Sequence, residues 1–308
     1  MPNTSQKPKP TVSIIGAGRL GQALALALYS SGYSILALVA RRRPKAAKAA
    51  ALLSGAKPEP QALGANRLSE LPPTDLILIA TPDDAIAEMA RTLADFSRSH
   101  QHGTVLHTSG ALSSEALAPL AAAGLHTGSI HPLVSISDPV SGAEALRGAF
   151  YCLEGSRKAK LIAQQLVQDL GGHSFSIKSE SKALYHAAAV MASPHLVALF
   201  DLAIEMLAAC GLGKRNAQKV LLPLLESTVN NLKASEPRKA LTGTYARGDV
   251  ATVRRHLQAL SPSQLAEALE VYKLLGRHSL QLAKQNRLDP QLLDQIRKLL
   301  DSTTRTSR

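Results

Sequence analysis

The sequence predicts an α/β domain built on a doubly wound, mainly parallel sheet, followed by an all-helical domain. Three observations carry that expectation. Short apolar runs rich in β-branched residues recur through residues 11–178, each opening onto a segment of helical period, which is the alternation of a parallel sheet. The first run leads straight into a glycine turn, G-x-G-x-x-G, at Gly16, Gly18 and Gly21. From residue 179 to 308 the pattern changes to long Ala/Leu helices joined by short polar turns, and no convincing strand is found.

The first strand spans residues 11–15 and its helix runs to Gly32, before a second strand at 34–40. Gly16 permits a tight turn, Gly18 lets a pyrophosphate approach the backbone, and Gly21 lets helix and sheet pack closely, so the segment reads as a Rossmann-type dinucleotide site. Arg19 and Leu20 open the helix, whose unpaired N–H groups and dipole favour phosphate. A site preferring NAD would offer Asp or Glu at the end of the second strand. This chain offers Ala40, Arg41, Arg42 and Arg43 instead. Arginine's planar fork suits a 2′-phosphate, so the expected cofactor is NADP(H), with Arg41 and Arg42 as its contacts.

Further strands follow at 76–80 and 105–107. Ligands bind beyond strand carboxyl ends near the switch in strand order, which places Thr81, Pro82 and Asp83 beside the dinucleotide and Ser109 and Gly110 near its nicotinamide. "GLHTGSIHPLVSI", "GAFYCLEGS" and "HSFSIKS" carry the sheet to about Lys178. His131, at one of these strand ends, reads equally as a substrate or cofactor contact or as a satisfied structural histidine.

In the helical half, "ESKALYHAAAVMASPHLVALFDLAIEMLAACGLG" predicts a helix over 180–210 that stops at Gly211 and Gly213 and is kinked by Pro194. Lys182, His186 and Val190 share a face, with Tyr185 and Ser193 close by. Lys182 and His186 form a candidate proton-donor pair, because hydride addition to a carbonyl or imine carbon needs a proton at the heteroatom. The alternative is a solvated lysine and a core histidine. "KALTGTYARGDVATVRRHLQAL" marks a break at Thr242, Gly243 and Gly248. Arg247 there is a candidate for a substrate anion, or Asp249 caps the next helix while Arg247 pairs with an acid.

Composition bounds the function. At 308 residues and 45% hydrophobic, the chain can bury roughly three quarters of its unfolded surface in about two domains. Aromatics are only 3% and Trp is absent, which argues against a base-stacking surface. Cys152 and Cys210 read as buried free thiols, and no metal site is expected. Residues 1–10 are a polar, proline-rich tail without the apolar core of a signal peptide, and the apolar stretch 187–207 is interrupted by Ser193, Pro194, His195, Asp201 and Glu205. A cytoplasmic protein with no membrane partner is expected. The net charge of +12 and pI near 9.8 suit small anions; no nucleic-acid motif accompanies them, so no nucleic-acid partner is expected.

The motifs GAGRLG, TPDDAI, HTSG, the later HP, KALYHAAAV and ALTGTYARGD together resemble the bacterial Rossmann-like proteins that carry the domain of unknown function 2520, commonly labelled NADP-dependent oxidoreductases. The resemblance runs from Thr11 to about Tyr272. More distantly the chain is similar to pyrroline-5-carboxylate reductase, 2-dehydropantoate reductase and the 6-phosphogluconate and β-hydroxyacid dehydrogenases. That resemblance implies a helical domain of the 6-phosphogluconate-dehydrogenase type that forms a homodimer. It also implies a catalytic Lys matching Lys182. Where those dehydrogenases place Asn four residues later this chain has His186, and where many closer relatives have Asn it has Pro194. The Gly/Thr turn that lies near the active site of the reductases resembles residues 241–244. The expected function is hydride transfer between NADP(H) and a small, anionic keto, hydroxy or imine compound in a cleft between the domains, contacted by His131, Ser193, Thr242, Gly243 and Arg247. The alternative is a dinucleotide sensor on the same scaffold, without hydride transfer.

Overall fold

The computed structural model describes residues 8–96 and 103–302. Residues 1–7 of the expected tail lie outside them, while Lys9 is anchored, its ammonium 3.0 Å from the Asp169 carboxylate and 2.6 Å from the Ser31 carbonyl. The chain falls into two compact units that divide between Ser193 and Pro194.

The first unit alternates strands and helices. In order it holds β1 (Val12–Ile15), α1 (Arg19–Ser30), β2 (Ile35–Ala40), α2 (Arg43–Ala51), β3 (Gln61–Gly64), β4 (Leu76–Ile79), α3 (Asp83–Asp95) and β5 (Thr104–His107). It continues with α4 (Ala118–Ala122), β6 (His126–Pro132), α5 (Pro139–Leu146), β7 (Phe150–Gly155), α6 (Arg157–Asp169), β8 (His173–Ser176) and α7 (Lys182–Ala192). The eight strands form one sheet in the order β3-β2-β1-β4-β5-β6-β7-β8. Every neighbouring pair is parallel except β6 and β7. The order reverses between β1 and β4, and that is where the glycine turn leaves the sheet.

The central strands VSII and LILI are buried along their whole length because helices cover both sheet faces. One face packs Leu24, Leu28, Leu38 and Leu166 among its core, the other Val39, Ile79, Ile86 and Val105. Each such side chain contributes about 1.5–3 kcal/mol of burial.

The second unit is helical in its described residues: α8 (Pro194–Ala209), α9 (Lys214–Ala234), α10 (Pro237–Ala240), α11 (Gly243–Arg247), α12 (Val250–Ala259), α13 (Ala266–Gln285) and α14 (Pro290–Asp301). Val253, Leu280, Ala283, Leu293, Ile296 and Leu300 make its core. Asp249 caps α12, accepting from the Thr252 amide at 3.0 Å and its hydroxyl at 2.7 Å.

The helix expected over 180–210 is two helices, α7 and α8. Ser193 between them has φ −129° and ψ −80°, and Pro194 becomes the first residue of α8, where its missing N–H costs nothing. The division of the units thus falls at Pro194 rather than at residue 179, because Lys182 and Tyr185 bind α7 to the sheet. Residues Ser179–Ala209 are long and apolar enough, at a mean hydropathy of 1.7, to cross a membrane by length and composition alone, and few of them are buried. Cys152 is buried as expected, but Cys210 is exposed, since it follows the last turn of α8.

Candidate functional site

The glycine turn is shaped by contacts that only glycine permits. Gly16 has φ +110°, and a Cβ on it would stand 2.5 Å from the Ala80 carbonyl carbon at the end of β4. A Cβ on Gly21 would collide with the Gly16 carbonyl oxygen. Gly18 is different: a Cβ there would meet nothing within 4 Å. The protein itself does not need glycine at that position, so the open space is room for a ligand. Gly18 is also the N-cap of α1, without a side-chain cap or an acid in the first turn. Gln22 braces the turn from below, its Nε2 donating to the Ala17 carbonyl at 2.9 Å.

The turn opens on a cleft of about 540 Å³ lined by Gly18, Arg19, Leu20, Thr81, Pro82 and Asp83 on one set of loops, and by Thr108, Ser109, Gly110, His131 and His186 on others. All of these residues belong to the first unit. The Thr81 hydroxyl is buried without a hydrogen-bond partner, an orphan that a ligand's polar atom would satisfy. The uncapped helix, the space at Gly18 and the orphan hydroxyl together fit a dinucleotide phosphate. Arg41 and Arg42 stand exposed just beyond β2, whose Val39 carbonyl accepts the Gly16 amide at 2.8 Å. Arg42 is the N-cap of α2, again with no side-chain cap and no acid in the first turn.

The polar end of the site follows from two periodicities. Along β6 the period of two puts Ser129 and His131 on one face, and antiparallel pairing sets Glu154 opposite Ser129 and Cys152 opposite His131. Along α7 the helical period puts Lys182, Tyr185 and His186 on one face. These faces meet. Lys182 Nζ donates to the Ser109 carbonyl at 3.0 Å and to Ser129 Oγ at 3.2 Å, and Lys182 is 1% exposed. Tyr185 Oη lies 2.6 Å from His131 Nδ1. The His186 ring stands edge-on to His131, centroids 5.7 Å apart.

Lys182 therefore sits differently from the proton donor expected in the cleft. Its ammonium is absent from the cleft lining and is spent on holding Ser109 and Ser129. Burial lowers its pKa from the ordinary lysine value, against the opposing negative charges of Glu154 and Asp83. Burial would raise the Glu154 carboxyl, but hydrogen bonds from Ser114 and Ser179 outweigh it and hold Glu154 below the usual carboxylate range. Glu154 accepts from the Ser114 amide at 2.7 Å and from the hydroxyls of Ser114 and Ser179 at 2.8 Å each.

The loop 108–113 is held from beneath by His107. The Ser109 amide donates to His107 Nδ1 at 3.2 Å, which fixes its Nε2 as the donor to the Ser113 carbonyl at 3.0 Å. Burial pushes His107 down to about 4. Burial, helped by the nearby Lys182 charge, does the same to His131, also to about 4. Both imidazoles are neutral near pH 7. Gly110 makes room for the two cleft imidazoles: a Cβ on it would stand 2.5 Å from His186 Cδ2 and 2.8 Å from His131 Nε2.

Of the residues expected from sequence, the cleft brings together Gly18, Arg19, Leu20, Thr81, Pro82, Ser109, Gly110, His131 and His186. Gly16 and Gly21 shape the turn. Ser193 ends the first unit, whereas Thr242, Gly243 and Arg247 belong to the second. Sequence reasoning missed His107, Ser129, Cys152 and Glu154 as parts of the site, and gave Tyr185 no role.

Comparison with known proteins agrees with this architecture. Residues 2–132 match the model of the Rossmann-like domain, and residues 149–279 match that of DUF2520, a domain of unknown function. A crystal structure of a Thermotoga maritima protein has a TM-score of 0.69 at 22% identity, covering 90% of this chain and 100% of that one. An imine reductase from Pseudomonas sp. has a TM-score of 0.58 at 18% identity, covering 94% and 99%. The pyrroline carboxylate reductase of Plasmodium falciparum with NADP bound has a TM-score of 0.54 at 11% identity, covering 96% and 100%. At these identities the likeness is one of fold. No curated protein matches the sequence.

Proposed function

We propose that this chain, a Rossmann-like domain joined to a DUF2520 domain, is an NADP(H)-dependent oxidoreductase acting on a small keto, hydroxy or imine compound. The observation that carries the reading is that one cleft is lined both by the open glycine position of an uncapped helix and by two imidazoles. Phosphate binding and proton handling are thereby offered to one ligand pair.

Gly16, Gly18 and Gly21 with the α1 amides would hold the pyrophosphate, and Thr81 Oγ1 would donate to a polar atom of the cofactor. Arg41 and Arg42 would take the 2′-phosphate, at a strand end that offers no acid to repel it. When bound, the nicotinamide would supply or accept hydride at the substrate carbon. His186 holds or takes up the proton at the substrate heteroatom, and His131 orients that atom. Lys182 holds the Ser109 carbonyl and Ser129 hydroxyl, keeping the loop beneath the reacting groups in place. The exposed apolar residues of α8 and α9 support a homodimer through the helical unit.

The test is a titration with NADPH and NADH, read by nicotinamide fluorescence, followed by turnover assays on 2-keto acids and cyclic imines. NADPH is expected to bind at least tenfold tighter, about 1.4 kcal/mol. The Arg41→Ala/Arg42→Ala pair is expected to lose that preference. Binding without turnover of any ketone or imine would instead identify a nucleotide sensor, and absence of binding would remove the reading.

A further inference from the structure

We infer that Tyr185 fixes His131 in the tautomer carrying its proton on Nε2, so that the cleft presents a neutral hydrogen-bond donor that selects a carbonyl oxygen over an iminium nitrogen. The substrate half of this inference rests on the oxidoreductase reading; the tautomer half rests on geometry alone.

The argument is one of proton counting. Tyr185 Oη lies 2.6 Å from His131 Nδ1, and its other candidate acceptor is Cys152, paired opposite His131 across β6 and β7. Its one proton can go to only one of them. An imidazole nitrogen is a strong acceptor and a sulfur a weak one, and 2.6 Å is the length of a strong bond. The phenol therefore donates to Nδ1. Burial keeps both groups protonated, raising the phenol and the thiol above their ordinary values. Burial also keeps His131 uncharged, at about 4. A neutral imidazole that accepts at Nδ1 must carry its proton on Nε2. That nitrogen is the one beside Gly110, on the ring that lines the cleft.

The charged and titratable groups packed around the ring are Lys182, His186, His107, Tyr185 and Cys152, and Tyr185 is the one within hydrogen-bond distance of Nδ1 among the described residues. The Phe175 ring stands edge-on to Tyr185, centroids 5.9 Å apart, and limits its swing. An Nε2–H donor satisfies a carbonyl oxygen, which has lone pairs to offer. It opposes an iminium, which has an N–H or N–C bond and a positive charge in that place and no lone pair. Neutral imidazole polarising a carbonyl is a recognised device for hydride and enolate chemistry. Tyr185 is accordingly a positioning residue, acting through His131.

The experiment is long-range ¹H–¹⁵N correlation NMR of the imidazoles in the full-length protein without nucleotide, with His131 assigned by the His131→Gln variant. The expected result is an Nε2–H pattern for His131 in the wild type that is lost or mixed in Tyr185→Phe. An Nδ1–H pattern in the wild type overturns the inference, and so does an unchanged tautomer in Tyr185→Phe. The wild-type spectrum decides even if the variant fails to fold. In turnover with NADPH, a ketone is expected to be favoured at least tenfold over a cyclic iminium of similar size, and Tyr185→Phe is expected to lower kcat at least tenfold with little change in KM. Glutamine at 131 keeps an amide donor near the Nε2 position, so Tyr185→Phe is expected to add nothing in that background. Equal use of the iminium overturns the selection. An Nε2–H signal with no turnover of either class strikes the oxidoreductase reading and leaves the tautomer standing.

Discussion

Two residues decide whether the imidazoles meet a substrate. Gly110 has an ordinary backbone conformation, so the cost of adding a methyl group comes wholly from the two rings it would strike. Gly110→Ala is expected to lower kcat at least tenfold while NADPH affinity stays within a few fold, as turnover and fluorescence titration would show. Lys182 bears a different burden. Removing its ammonium leaves the buried Ser109 carbonyl and Ser129 hydroxyl without their donor, a loss of about 1–3 kcal/mol. Lys182→Met, which keeps most of the stem, is expected to lose nearly as much as Lys182→Ala in the urea midpoint. The glycine turn, the arginines and the HTSG loop were legible in the sequence because local spacing alone defines them. Tyr185, Glu154 and Cys152 were not, since their roles depend on cross-strand pairs and on a helix lying over them, and neither is written in the spacing of any one segment.

At the level of elements, the antiparallel pair β6–β7 is what makes the polar cluster. A slip of one residue in that pairing would send His131 and Ser129 to the opposite face. The order of β1, α1, β2, β4, α3 and β5 followed from apolar runs and turns. The short β3, ending on a glycine, carried too little pattern to be read singly, and the break at Ser193 was read as a kink because only the backbone shows that the helix stops. The buried histidines make the sheet acid-sensitive. His107 is wholly buried with a pKa of about 4 in the folded chain, below the ordinary value of about 6.5 for a free imidazole. Between those values the unfolded chain binds a proton that the folded one refuses. Stability is thus complete above about pH 6.5 and falls as the pH drops towards 4, by ~3 kcal/mol for this residue. His131 acts in the same direction, and so does Glu154, whose lowered pKa costs stability as acid protonates it. Thermal melts at a series of pH values are expected to show this decline; a flat profile from 6.5 to 4 would contradict it.

For the molecule as a whole, the second unit leaves much apolar surface uncovered. Val197 on α8 is 70% exposed, and Val220 and Leu224, one turn apart on α9, are 60% and 64% exposed. Exposed apolar residues of this kind mark an interaction surface. The proposed homodimer would cover it, and Val220→Glu/Leu224→Glu is expected to sediment as a monomer at micromolar concentration with unchanged helical circular dichroism. A wild-type monomer would refute the dimer. The opening at Gly18 separates, in a single position, what folds the chain from what the chain is for. Its backbone is unstrained and its surroundings are empty, so alanine there removes no internal contact and adds no clash. Melting point, association and tautomers should be untouched, while the methyl group would occupy the place proposed for the pyrophosphate. The fold thus supplies its own blank: a molecule alike in every respect but occupancy, against which each effect attributed to the nucleotide can be measured.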